Sequence, residues 1–110
     1  MAARDDAGTR ADLYWSLVDD LAIDPAVAGG TMMGFPCLRV RGRFFASLDR
    51  RTHHLIVKLP AGRVSALVAS GEGVPFNPNG RVFREWVAVP VADPDRWRAL
   101  MGEAKQFAGG

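Results

Sequence analysis

Two adjacent histidines, His53 and His54, stand ahead of an aliphatic run that ends in Lys58, Leu59 and Pro60. Neighbouring imidazoles can hold a transition metal or move protons, so chemistry is sought there first. The run alternates as a strand does. Leu55, Val57 and Leu59 share one face, while His54, Ile56 and Lys58 share the other. His53 then points away from His54, and no third ligand lies nearby in the sequence, so the pair cannot close a metal site. No metal is expected, and the histidines read as the edge of an ordinary strand.

Other reactive residue types lead no further. Cys37 is the one cysteine, which excludes an internal disulfide and a four-cysteine zinc site. It follows Pro36 at a strand start, where a small buried residue fits. Ser47, Ser65 and Ser70 lack a motif that places a histidine and a carboxylate around them. Asp19 and Asp20 are adjacent on a helix, so their side chains diverge. The segment SGEGVPFNPNG has no Gly-Lys-Ser/Thr ending, and it does not join a strand to a helix as a dinucleotide fingerprint does. Its prolines and asparagines fit a structural turn. The expectation is a non-enzymatic chain without a cofactor.

A cationic and aromatic set stands out instead. Strand alternation assigns Arg39, Arg41, Arg43, Phe45, His54, Lys58, Arg84 and Trp86 to one sheet face, and no acid falls on it. Arginine and lysine suit phosphate, and exposed aromatics can stack bases. This predicts a surface for DNA or another nucleic acid. The same pattern fits a protein contact, including a homodimer surface built on Trp86 and Phe45. The charge distribution agrees with a basic surface. Residues 1–36 hold two arginines against six acids, net −4, whereas residues 37–91 hold nine Lys/Arg against three acids, net +6. The formal total of +2 therefore hides a basic middle.

Several elements must position that face. Leu13, Tyr14, Leu17, Val18 and Leu21 recur at helical spacing, predicting a helix over about 10–23 with Thr9 or Asp12 as its cap. Pro25 and Gly29-Gly30 then break the chain, and TMMGF is a possible short strand. PCLRV and RFFASL flank a tight Arg41-Gly42 turn, with Leu38, Val40, Phe44, Ala46 and Leu48 facing the core. HLIVKL is the next strand, and AGRVSALVASG is a short helix that Gly71 terminates. RVFREWVAVP reads as the last strand, with Phe83, Val87 and Val89 inside. Asp93 caps a final helix with Pro94 at its first position and Trp97, Leu100, Met101, Ala104 and Phe107 as its apolar stripe. The order α-β-β-β-α-β-α, with short connections, predicts an α+β two-layer sandwich: an antiparallel sheet of about four to five strands under helices.

The chain's 110 residues, 48% hydrophobic, make one domain with a core of its own. No apolar run reaches the roughly 18 residues of a membrane span, and MAARDDAGTR has no apolar centre of a signal peptide. A cytoplasmic location is the expectation.

Gly34-Phe35-Pro36, Gly42 followed by Phe45-Ala46, Lys58-Leu59-Pro60, Gly71 with Pro75-Phe76, and Trp86 before Pro90 give the chain a familiar outline. In order and spacing these pieces resemble the MmcQ/YjbR-like family over about residues 10–108. The N-terminal domain of TfoX competence regulators is a remoter likeness. The resemblance implies a small α+β domain with an antiparallel sheet, similar to the two-layer fold of frataxin-like proteins and secretion chaperones. It also implies a DNA-binding role, the label its members often carry, and no shared catalytic residues.

Overall fold

The computed structural model describes residues 7–32, 35–77 and 80–109. Within them the periodic segments become α1 (Ala7–Leu21), β1 (Val27–Met32), β2 (Phe35–Val40), β3 (Arg43–Leu48), β4 (Leu55–Lys58), α2 (Ala61–Ser70), β5 (Val74–Pro75), β6 (Trp86–Val89) and α3 (Pro94–Gly109). The strands form one sheet in the order β1-β2-β3-β4-β6-β5, and every neighbouring pair is antiparallel. The expected α+β architecture holds, with six strands rather than four or five. β1 begins at Val27 and runs through Gly29-Gly30, which were expected to break the chain, and β5 lies inside the glycine-rich loop.

The core lies between this sheet and the helices. Tyr14, Leu17 and Val18 of α1, Val64 and Leu67 of α2, and Trp97, Leu100, Met101 and Ala104 of α3 meet Leu38, Val40, Ala46, Leu48, Leu55, Val57, Val87 and Val89 in one buried cluster. The helix ends follow their local chemistry. The Asp93 carboxylate accepts the N–H groups of Asp95 at 2.9 Å and Arg96 at 3.3 Å, directly ahead of a proline that needs no partner. Gly71, with φ +86°, closes α2 by donating its N–H to the Val68 carbonyl. α1 starts earlier than its apolar spacing indicates, so Thr9 and Asp12 lie inside the helix rather than at its cap.

The β2–β3 hairpin decides which side chains reach the face away from the helices. Its two-residue turn has positive φ at both Arg41 (52°) and Gly42 (82°), the twist that suits flanking strands. Such a turn pairs Val40 with Arg43 and Arg39 with Phe44. The register then shifts at Leu38/Arg39, because β3 carries one extra residue there, and resumes with Leu38 opposite Ala46. Phe45 is that extra residue. It turns to the core beside Ala46 and is fully buried, whereas Phe44, expected inside, is half-buried opposite Arg39.

Candidate nucleic-acid interface

The sheet register builds the site. Leu38, Ala46, Val57, Val87 and Pro75 lie abreast across five strands, the first four of them in the core. One residue further along β2, β4 and β6, and two along the bulged β3, side chains lie on the other face. That next row reads Arg39 on β2, Phe44 on β3, Lys58 on β4 and Trp86 on β6, with Arg39 opposite Phe44 and Lys58 opposite Trp86. All four are half-buried. Cation and aromatic alternate across the row.

The row's first pair is in contact. The Arg39 guanidinium stands 5.8 Å from the centre of the Phe44 ring. It also lies over Gly30 of β1, where an added Cβ would come within 3.2 Å of its Nη2. Glycine therefore leaves the space in which this side chain lies along the sheet. Arg39 Nε is buried and has no hydrogen-bond partner among the described residues.

Beyond Trp86 the row continues into the loop between β5 and β6. The Trp86 N–H donates to the Phe83 carbonyl at 3.2 Å, and the Phe83 N–H donates to the Phe76 carbonyl at 3.1 Å. The Phe76 and Phe83 rings are 5.9 Å apart, and Arg81 stands 5.7 Å from the Phe83 ring centre. Phe83 is 38% exposed and Val82 is 57% exposed, so this is an open aromatic loop. Arg84 is exposed in the turn just ahead of β6. The last strand is shorter than its apolar residues indicate, and Phe83, expected inside, belongs to this surface instead.

The next row on that face is closed across its four central strands and open at Val74 on the β5 edge, which pairs with Ala88. Cys37, Ser47, Ile56 and Ala88 lie abreast in the row two residues away, and all are buried, with the Ser47 hydroxyl donating to the Pro36 carbonyl at 2.6 Å. Apart from Val74 at the β5 edge, the open surface across β2, β3, β4 and β6 is thus one row and its loop, at the hairpin end of the sheet.

The predicted residues divide accordingly. Arg39, Lys58 and Trp86 come together, and Arg84 lies beside them in the chain. Phe45 does not take part, because the hairpin register sets Phe44 opposite Arg39 and leaves Phe45, the next residue, on the core side. Arg43 is exposed but sits opposite core-facing Val40, so it extends from the other side of the hairpin. Arg41 is exposed in the turn, and its charge reaches Asp24, whose carboxyl it helps to hold below the usual range after Lys105 and the Ala26 N–H. His54 stands at the opposite end of β4 from Lys58, before the strand begins, in a turn where its carbonyl accepts the Asp49 N–H. Burial, and then the nearby Arg10 charge, hold its imidazole below the usual range against the pull of Asp49. It stays neutral at neutral pH and adds no cation to the row. His53, with φ +59°, belongs to the same turn rather than to a strand.

Phe44, Phe76, Phe83 and Arg81 were missed. The signal for Phe44 was present: a two-residue hairpin at Arg41-Gly42 obliges Phe44, not Phe45, to share the face of Arg39.

Charge separates the row from the helix layer. Arg63 pairs with Glu103 at 2.9 Å, Arg96 with Glu72 at 2.6 Å, Arg98 with Asp20 at 2.8 Å and Lys105 with Asp24 at 2.7 Å. Each of these cations sits on α2 or α3. Arg39, Lys58, Arg81 and Arg84 form no ion pair among the described residues. Two shallow depressions, of about 440 and 200 Å³, lie in the helix layer, and each is lined by both partners of an ion pair, Arg63–Glu103 and Arg98–Asp20. Neither touches the row or the 71–80 loop. Among the described residues no three His, Cys, Asp or Glu side chains are grouped to hold a metal ion, and no helix is long and apolar enough to cross a membrane.

In comparison with known proteins, no family model, no curated protein and no solved structure matches the chain.

Proposed function

We propose that the chain is a small non-enzymatic nucleic-acid-binding domain, acting in the cytoplasm, whose contact surface is the Arg39–Phe44–Lys58–Trp86 row and the Arg81–Phe83 loop. One observation carries the reading. Cations on α2 and α3 are neutralised by adjacent carboxylates, while those along the row are not. Unpaired cations interleaved with rings keep an electrostatic field available to phosphate and offer faces to bases. The MmcQ/YjbR-like resemblance, with its DNA-binding label, points the same way, and we place the chain in that family on its Lys58-Leu59-Pro60 and Trp86-to-Pro90 segments among others.

The test is fluorescence polarisation with a labelled oligonucleotide at low and moderate salt. With about four phosphates neutralised, affinity falls roughly 50- to 150-fold between 50 and 200 mM salt. Absence of binding at low salt overturns the reading. A second reading, a homodimer surface, is favoured by the exposure of Val74, Val82 and Phe83 at one end of the sheet. A monomer in sedimentation at high concentration removes it.

A further inference from the structure

Resting on that reading, we infer that the surface takes single-stranded rather than double-stranded nucleic acid, with bases stacked on Phe44, Trp86 and Phe83. Three cation–ring couples follow one another: Arg39 with Phe44, Lys58 opposite Trp86, and Arg81 with Phe83. In each couple a phosphate donor stands beside a ring that is partly exposed, as Phe44 and Trp86 are, or lies in an exposed loop, as Phe83 does.

A duplex cannot use the rings. Its bases are already stacked on one another, and only their edges and the phosphates face outward. Rings set along a sheet do not reach those edges as a helix in the major groove does. A single strand has unstacked bases whose faces are free, and every base has such a face. Spacing fits this as well. Phe44 on β3 and Trp86 on β6 are separated by β4 alone, hence about 10 Å apart at the usual strand spacing, within the stride of alternate or adjacent splayed nucleotides. Phe83 continues the series through its backbone bond to Trp86. The Arg39 guanidinium, laid across Gly30 and against Phe44, is already held beside its ring, so little is lost in ordering it when a phosphate arrives.

The test uses the full chain and three probes of about 12 nucleotides, a length within the range of known single-strand sites. They are a labelled single strand of mixed sequence, the same strand annealed to its complement, and a strand of equal length lacking its bases. The single strand binds at least about tenfold more tightly than either of the others. Trp86→Ala and Phe83→Ala each weaken single-strand binding about 5- to 150-fold, the range for loss of one base–ring stack, and leave duplex binding unchanged. Trp86→Phe, which keeps a ring, retains most of the affinity, and the melting temperature of each variant confirms its fold. Duplex or base-free strand binding as tightly as the single strand overturns the inference while leaving the nucleic-acid reading in place. No binding of any probe overturns both.

Discussion

The helix layer and the hairpin end of the sheet handle positive charge in opposite ways. In the helix layer, Arg63, Arg96, Arg98 and Lys105 each rest on a carboxylate from another element. Such exposed pairs add little stability, typically about 0–1 kcal/mol each, but they cancel one another's field. Along the sheet end, Arg39, Lys58 and Arg81 have rings as neighbours, and Arg84 forms no ion pair among the described residues. A ring attracts a cation weakly and leaves its charge uncompensated. A formal net charge of +2 says nothing of this division, which exists only once the strands are in register.

The largest expected effect comes from removing the joint between the two layers. Trp97 is fully buried in α3 against the sheet, and its indole N–H has no partner among the described residues. Trp97→Ala destabilises the chain by about 3–5 kcal/mol through lost contact and cavity, read as a shifted urea midpoint. Nucleic-acid binding falls with the folded fraction although no charge has changed.

Arg41 sharpens the boundary between the regions. It occupies the left-handed backbone region at φ 52°, which Asn tolerates better, and its charge is felt by Asp24 on the helix side. Arg41→Asn raises stability by up to about 1 kcal/mol in thermal or denaturant unfolding and leaves nucleic-acid affinity unchanged. A loss of affinity equal to that of Lys58→Ala would move the hairpin tip into the binding surface.

A smaller effect tests His54. Its folded pKa lies below the unfolded value of about 6.5, so below that pH the unfolded chain binds more protons. Stability therefore declines as pH falls from about 7 through the imidazole range, and levels off once the folded form is protonated too. His54→Gln flattens that part of the melting-temperature profile. An unchanged profile means that another group controls it.

Much of the fold was legible because local signals agreed with the tertiary structure. Asp93-Pro94 and the Trp97, Leu100, Met101, Ala104 spacing fix α3 without reference to anything else. Gly71 stops α2 in the same local way. The surface was less legible because alternation propagates errors. The Arg41-Gly42 turn sets Phe44 opposite Arg39 and sends Phe45 to the core side, and assigning the two rings along RFFASL without counting from that turn exchanges them. The stretch from Arg81 to Glu85 has strand-like side chains, but the Trp86 N–H bond to the Phe83 carbonyl closes a turn there and the Phe83 N–H bond to Phe76 ties it down, contacts that periodicity does not show. The first part of β1, ahead of Thr31, was missed for the reverse reason: its two glycines are poor strand formers alone, yet pairing with β2 holds them extended.

The central claim is that unpaired charge at the sheet end, and not the chain's overall basicity, binds nucleic acid. The most direct measurement is a salt titration of oligonucleotide affinity for Lys58→Ala and Arg84→Ala beside Arg63→Ala and Arg98→Ala, all of which remove one positive charge. The account predicts that the first two weaken binding and each reduce the steepness of the log–log salt dependence by about 0.7–0.9, while the second two leave both unchanged. Equal losses from all four variants, or none from Lys58→Ala and Arg84→Ala, would contradict it.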